Sequence, residues 1–161
     1  MAEGEQGVLR ETTAAVIAEA REMIRAADHA ALATIEAGTG HPLASRVGLA
    51  TLADGTPLIV VSGLAAHSAA LDGEPRCSLL IGETGKGDPL AHPRLTLMCR
   101  AALVAPDGRA DARARYLAQH AKAAIYVDLP DFRFFRLSIE RASFNAGFGR
   151  AYAIAGGALV G

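Results

Sequence analysis

The strongest constraint on the fold is a β-hairpin signal in the first half of the chain. A strand pattern opened by Pro42 runs over residues 43–52, and a second apolar run covers residues 57–62. Asp54-Gly55 lies between them, and Asp-Gly between two apolar runs is typical of a tight hairpin turn. The sequence therefore predicts two neighbouring antiparallel strands.

The remaining patterns extend this hairpin to a larger antiparallel sheet. Because the short strands are not separated by regular helices, a closed antiparallel barrel is favoured over a doubly wound α/β fold. We expect one domain over residues 1–161, with an N-terminal helical region (1–28), a barrel (29–150) and a C-terminal tail (151–161). Further strands are predicted at residues 31–35, 76–81, 94–104, 131–139 and 142–145, and helices at residues 16–27, 64–71 and 110–122, the first capped by Thr12 or Thr13.

Charge and composition argue against several classes of partner. The net charge is −1, no like charges run together, Trp is absent and aromatic residues make up 5%. A general nucleic-acid or anionic-membrane binder is therefore not expected. The N-terminal sequence is too polar for a signal peptide, and no stretch reaches the roughly 18 apolar residues of a membrane helix, so we expect a cytoplasmic protein.

The sequence does not predict a metal site. Cys77 and Cys99 each lie in an apolar run, and neither has a Cys or His at metal-ligand spacing. We expect both to be buried reduced thiols.

The segment Ser62-Gly-Leu-Ala-Ala-His-Ser68 is the best candidate for a binding site. It follows a buried strand and begins a helix, so backbone N–H groups, hydroxyls and an imidazole can converge on an anion such as a phosphate. Alternation on the preceding strand directs Ser45 and Val47 to one face and Arg46, among small residues, to the other. Two alternatives stay open: Ser62 is only a helix cap, or Arg46 only belongs to a solvated face.

Side-chain catalysis has little support in the sequence. No HExxH motif, Gly-x-Ser-x-Gly elbow or placed pair of carboxylates is present. If the protein is an enzyme, we expect a cofactor to supply the chemistry.

Several short stretches in a fixed order resemble those of the FMN-binding split-barrel proteins related to pyridoxamine 5′-phosphate oxidase, in particular the HugZ-like haem-utilisation subgroup. They extend from about residue 30 to residue 150. The stretches are Ala31-Leu-Ala-Thr-Ile35, His41-Pro-Leu-Ala-Ser45, Ser62-Gly-Leu-Ala-Ala-His-Ser68, Ser78-Leu-Leu80, Asp88-Pro-Leu90, Pro93-Arg-Leu-Thr-Leu97, Arg115-Tyr-Leu117 with His120, Asp131-Phe132 and Gly147-Phe-Gly149.

The resemblance implies a six-stranded antiparallel Greek-key split barrel that forms a homodimer with FMN at the subunit interface. It implies that Ser45, Arg46, Ser62, His67 and Ser68 hold the FMN phosphate, and that Val47 and Leu64 lie near the flavin through their backbone. The subgroup also has a C-terminal domain with a haem-ligating histidine, whereas this sequence has no histidine after His120.

Two functions are compatible with this resemblance. The first is an FMN-dependent oxidoreductase acting on a small molecule. The alternative is a non-catalytic regulatory dimer that binds flavin, haem or another tetrapyrrole on the same scaffold.

Overall fold

A computed structural model describes residues 9–161, which form a curled, half-barrel antiparallel sheet with three α-helices. The polar N-terminal sequence that argues against a signal peptide lies partly outside the described residues. The helices are α1 (Ala14–Ala26), α2 (Ala66–Gly73) and α3 (Arg109–Gln119). The strands are β1 (His29–Ile35), β2 (Pro42–Gly48), β3 (Ala50–Thr51), β4 (Pro57–Ser62), β5 (Arg76–Ile81), β6 (Arg94–Leu103), β7 (Phe132–Asn145) and β8 (Ala151–Ala155).

The sheet confirms the antiparallel split-barrel prediction with a different strand count. Its order is β2-β1-β5-β6-β7-β4-β3, and β8 also pairs with β7. Residues 9–161 form eight strands instead of six, partly because the predicted strand over residues 43–52 divides at Leu49. The Leu49 amide leaves the ladder and donates to the carbonyl oxygen of Asp28 at 2.9 Å.

The long strand β7 joins the two halves of the sheet. The sequence predicts two strands, over residues 131–139 and 142–145, but the structure has one strand with a bulge at their junction. Met98 pairs with Arg141 and Cys99 with Ile139, so Glu140 is the extra residue. A bulge increases the local twist and bends the strand. The first part of β7 pairs with β4 and the last part with β8.

The prediction of a C-terminal tail missed β8. Tyr152, Ile154 and Leu159 of this segment are all buried in the main hydrophobic core. Burial alternates along Ala151–Ala155, as a half-buried strand requires. The last residues of the chain thus complete the core.

Helix α1 covers one side of the sheet and α3 covers another. Val16, Ala20 and Ile24 of α1 are buried, and Thr13 caps the helix by accepting from the Val16 amide at 3.3 Å, which confirms one of the two predicted caps. Tyr116 of α3 packs with Phe134 in a second, smaller cluster. Cys77 and Cys99 are buried free thiols, as predicted.

Among residues 9–161, no helix is long and apolar enough to cross a membrane.

The close approach of the C-terminal segment to β7 predicts a strong effect of Gly156→Ala. A Cβ at Gly156 would overlap the carbonyl oxygen of Ile139, whereas a Cβ at the exposed Gly157 would meet no atom within 4 Å. We expect Gly156→Ala to lower the free energy of unfolding by about 1–3 kcal/mol, the usual cost of overpacking. Gly157→Ala should stay within about 0.5 kcal/mol of the wild type. Urea denaturation measures both, and equal stabilities would contradict this packing.

Candidate functional site

An open cleft of about 610 Å³ lies where β1, β2, β4, α2 and α3 meet. Its walls include aliphatic side chains of β2 and β4 and aromatic side chains from the segment after α3. The residues that matter for its chemistry include Arg46, Val47, Ser62, His67, Tyr126 and Phe132.

The structure brings four of the seven predicted site residues into this cleft. Arg46, Val47, Ser62 and His67 line it. The other three do not line it: Ser45 contacts His67, Leu64 is 89% exposed to solvent, and Ser68 is fully buried. The hydroxyl of Ser68 has no hydrogen-bond partner among the described residues.

Arg46 lies on the outward face of β2. Its neighbours follow the predicted alternation, since Ala44 and Arg46 are exposed while Val47 is buried. Within residues 9–161, no carboxylate oxygen lies within 4.0 Å of the Arg46 guanidinium. A guanidinium that lies at the edge of a cleft and has no carboxylate partner can bind an anionic ligand.

The turn after β4 is held by Asp131, a residue 69 positions away. Ser62 Oγ donates to Asp131 Oδ2 at 2.7 Å and accepts from the Leu64 amide at 3.2 Å. The Gly63 amide donates to the Asp131 carbonyl oxygen at 2.6 Å, and a Cβ at Gly63 would lie 2.9 Å from that oxygen. The single hydroxyl proton of Ser62 is therefore used by Asp131, and the role of Ser62 is to hold the turn in shape.

Ser62 is not the cap of α2. The cap position is Ala65, and no side chain bonds to the helix start there. The alternative reading of Ser62 as a plain helix cap is therefore wrong. The first amides of a helix have no partner within the helix, so those of Ala66 and His67 face outward from the end of α2.

His67 occupies the first turn of α2, where its ring contacts Ser45. Its Nδ1 lies 3.1 Å from Ser45 Oγ. Partial burial lowers the pKa of His67 below the ordinary 6.5, which favours the neutral imidazole. A neutral ring with Nδ1 engaged leaves Nε2 for a ligand in the cleft.

The back of the cleft is built by Tyr116 and His120, which the sequence shows only as part of a family-like stretch and not as site residues. Tyr116 and His120 stack with ring centroids 4.5 Å apart, and His120 Nε2 donates to the Leu49 carbonyl oxygen at 2.7 Å. Burial raises the pKa of Tyr116 above its usual value. A Cβ at Gly48 would overlap the Tyr116 hydroxyl, so the glycine in β2 was the available signal for this close contact.

Comparisons with known proteins identify relatives of this chain. A family model for pyridoxamine 5′-phosphate oxidase matches residues 16–146. The chloroplastic heme oxygenase HOZ of Arabidopsis thaliana is 39% identical over 115 residues, which cover 70% of this chain and 34% of that protein. A solved structure described as a heme binding protein from Mycobacterium smegmatis has 34% sequence identity to this chain and a TM-score of 0.83. The match covers 94% of this chain and 61% of the mycobacterial chain.

A further solved structure has nearly the same length as this chain. It is 45% identical, with a TM-score of 0.87, and the match covers 94% of this chain and 99% of the other. By contrast, this chain spans about a third of HOZ and about three fifths of the mycobacterial protein.

The lowered pKa of His67 predicts a measurable pH dependence of stability. Because its pKa is lower in the folded protein than in the unfolded chain, the unfolded chain binds the proton more tightly. The free energy of unfolding should therefore fall as the pH decreases through 6.5, until the folded-state pKa is passed. His67→Gln should reduce this loss.

Urea denaturation at a series of pH values between about 7 and 5 checks this expectation. His41→Gln, which removes an exposed imidazole from the turn between β1 and β2, is the matched control and should keep the wild-type slope. If His67→Gln kept the wild-type dependence of the free energy of unfolding on pH, the lowered pKa of His67 would be contradicted.

Proposed function

This chain belongs to the pyridoxamine 5′-phosphate oxidase family, in its HugZ-like haem-utilisation subgroup, and on that premise we propose that its cleft binds a flat, conjugated cofactor with an anionic tail. Haem is the first candidate and FMN the second. The proposal rests mainly on Arg46, which lies at the edge of a cleft with apolar and aromatic walls. Among the described residues, this cation has no carboxylate partner.

The anionic tail is assigned to the end of the cleft that Arg46 and α2 form. A guanidinium binds a carboxylate or a phosphate through paired hydrogen bonds. The outward amides of Ala66 and His67 add donors at a helix N-terminus, where negative charge is favoured. Haem propionates and the FMN phosphate share this chemistry, so the same residues serve either cofactor.

The conjugated body of the cofactor is assigned to the apolar part of the cleft. Tyr126 and Phe132 lie with ring centroids 4.9 Å apart, and Val47, Val60 and Val61 supply aliphatic surface. Aromatic and aliphatic walls with few polar groups are typical of cofactor sites. A planar ring system would bury its faces against them.

Two observations favour haem over FMN. Relatives at 39% and 34% identity are named as a heme oxygenase and a heme binding protein. In addition, His67 has the arrangement of an iron ligand, since Ser45 engages Nδ1 and leaves Nε2 open. FMN is retained as the second candidate because of the phosphate site that the family resemblance implies for Arg46 and its neighbours.

A bound haem or flavin would supply redox chemistry toward dioxygen or a small substrate. In this proposal the protein holds and orients the group: Arg46 fixes the anionic tail, and Asp131 keeps the Ser62–Leu64 turn in place. The stacked Tyr116 and His120 close the back of the cleft. A non-catalytic binding role on the same scaffold is the alternative, and it predicts cofactor binding without turnover.

We further propose that the protein is a homodimer with the cofactor at the subunit interface. The outward face of the sheet beside Arg46 carries small side chains around a few larger apolar ones, including Leu80, which is 47% exposed. Across the strands, Arg46 pairs with Ala31, Ala31 with Leu80 and Leu80 with Thr96. This face adjoins the cleft at Arg46 and exposes apolar surface, which suits a second copy of the chain.

Replacing Arg46 by alanine should weaken cofactor binding. Loss of a charged hydrogen bond costs about 1.5–3 kcal/mol, or roughly 10- to 150-fold in affinity. Absorption titrations with hemin and with FMN distinguish the two candidates. Arg25→Ala on α1, which removes a surface arginine paired with Glu22, should leave the affinity unchanged. Equal affinities of wild type and Arg46→Ala would remove Arg46 from the site.

Leu80→Glu should disrupt the dimer and reduce cofactor affinity together. A carboxylate placed on the apolar face must lose its water when the face is covered. Analytical ultracentrifugation should show a dimeric wild type and a mainly monomeric variant. Leu103→Glu, which introduces the same charge at an exposed position near the end of β6, serves as the control and should remain dimeric. A wild type that sediments as a monomer would contradict the proposed dimer.

A further inference from the structure

Helix α2 presents the N-terminal amides of the proposed anion site, but its own sequence gives it little stability. The helix has eight residues, and no side chain caps its start. A helix this short is not stable by itself in water, so contacts with the rest of the protein must hold it. Its buried residues are Ser68, Ala70 and Leu71, and the Ser68 hydroxyl has no partner among the described residues. A polar contact at the far end of the helix adds to this support.

Arg133 of β7 binds Asp72, in the last turn of α2, through two hydrogen bonds. Arg133 Nη1 donates to Asp72 Oδ2 at 2.9 Å, and Nη2 donates to Asp72 Oδ1. Such a paired contact is stronger and more directional than a single hydrogen bond. The guanidinium also lies over the ring of Phe135, 4.8 Å from its centroid, and only 25% of the Arg133 side chain is exposed. The arginine is therefore held against β7 as well as against α2.

The place of Asp72 in the helix shows that its carboxylate depends on this partner. The C-terminal end of a helix carries partial negative charge, so a carboxylate there is unfavourable unless a cation neutralises it. The last turn of α2 contains no basic residue. The Arg133 guanidinium supplies the cation and holds the pKa of Asp72 below its usual range. The carboxylate is therefore stabilised from β7 and not from its own helix.

We propose that Asp72 and Arg133 are positioning residues, whose pair holds α2 so that the outward amides at its N-terminus point at the same anion as Arg46. This inference rests on the proposed function, because the anion is the tail of the cofactor proposed for the cleft. Neither Asp72 nor Arg133 lines the cleft, so the pair acts through the helix. A hydrogen bond weakens steeply as its angle departs from linearity, so a small tilt of α2 would weaken the anion site without removing any group from it.

Two contacts from the start of β7 hold the two ends of the segment that follows β4. Before the helix, Asp131 binds the Ser62 hydroxyl and the Gly63 amide. At the end of the helix, Arg133 binds Asp72. Gly63 leaves room for both contacts, since a Cβ there would lie 2.9 Å from the Asp131 carbonyl oxygen and 3.7 Å from Arg133 Cδ. Without the Arg133 contact, β7 would hold only the turn before the helix.

The direction of the effect at Asp72 separates positioning from plain electrostatics. Asp72→Asn removes a negative charge, so a purely electrostatic role would raise the affinity of a nearby site for an anion. A loss of positioning lowers that affinity instead. We expect Asp72→Asn and Arg133→Gln each to weaken the binding of inorganic phosphate by about three- to tenfold, the size typical of a coupled pair. The double variant should lose no more than the more affected single variant, because the two residues act as one pair.

NMR titration of ¹⁵N-labelled protein with inorganic phosphate measures this affinity without any cofactor, from the shifts of the Ala66 and His67 amide signals. These signals come from folded molecules, so partial unfolding of a variant appears as weaker signals and not as a lost affinity. Asp72→Glu keeps the carboxylate and should retain most of the wild-type affinity. Asp111→Asn, which breaks an exposed pair with Arg115 on α3, is the matched control and should bind phosphate as the wild type does.

The possible failures are distinguishable. If the wild type binds phosphate and Asp72→Asn binds it equally or more tightly, the positioning role is overturned and the proposed function stands. If the losses in the two single variants add up in the double variant, the residues act independently, which also overturns the pair. If the wild type binds neither phosphate nor hemin nor FMN, the proposed function fails, and the positioning role fails with it.

Discussion

The bulge in β7 is the constraint on which the rest of the structure depends. The extra residue at Glu140 bends and twists this strand of 14 residues between its two parts. With it, the first part of β7 pairs with β4 and the last part with β8. The sheet curls around the main hydrophobic core, and β4 ends beside the start of β7. The cleft forms at that junction.

Hydrogen bonds between residues far apart in the chain give the cleft its detailed shape. Asp131, just before β7, holds the turn after β4 through both its carboxylate and its carbonyl oxygen. Leu49, where the ladder of β2 is interrupted, joins the start of β1 to the end of α3 through Asp28 and His120. These contacts fix side chains from β1, β2, β4 and α3 around one space.

The sequence predicted the features that local patterns determine. The hairpin around Asp54-Gly55, the cap at Thr13 and the outward position of Arg46 each follow from a few neighbouring residues, and each is present. The residues selected from the sequence include four that line the cleft. The order of short motifs also identified the family, which neither periodicity nor composition could have done.

The features that the sequence missed depend on distant partners. Ser62 was expected to hold an anion, but its hydroxyl proton is used by Asp131, 69 residues away. The strand β8 is missed because it is short and flanked by glycines on both sides, although it pairs with the neighbouring end of β7. Tyr116 and His120 lie around the end of α3 and Asp28 and His29 around the start of β1, and no local pattern in the chain indicates that these two segments meet.

The central claim is that this cleft holds a flat cofactor by its anionic tail. The most direct measurement is the visible absorption spectrum of the purified protein during titration with hemin and, separately, with FMN. We expect a saturable change for at least one of them, with hemin giving a shifted and sharpened Soret band at one equivalent per subunit. Spectra that equal the sum of protein and free cofactor at every concentration, for both compounds, would contradict it.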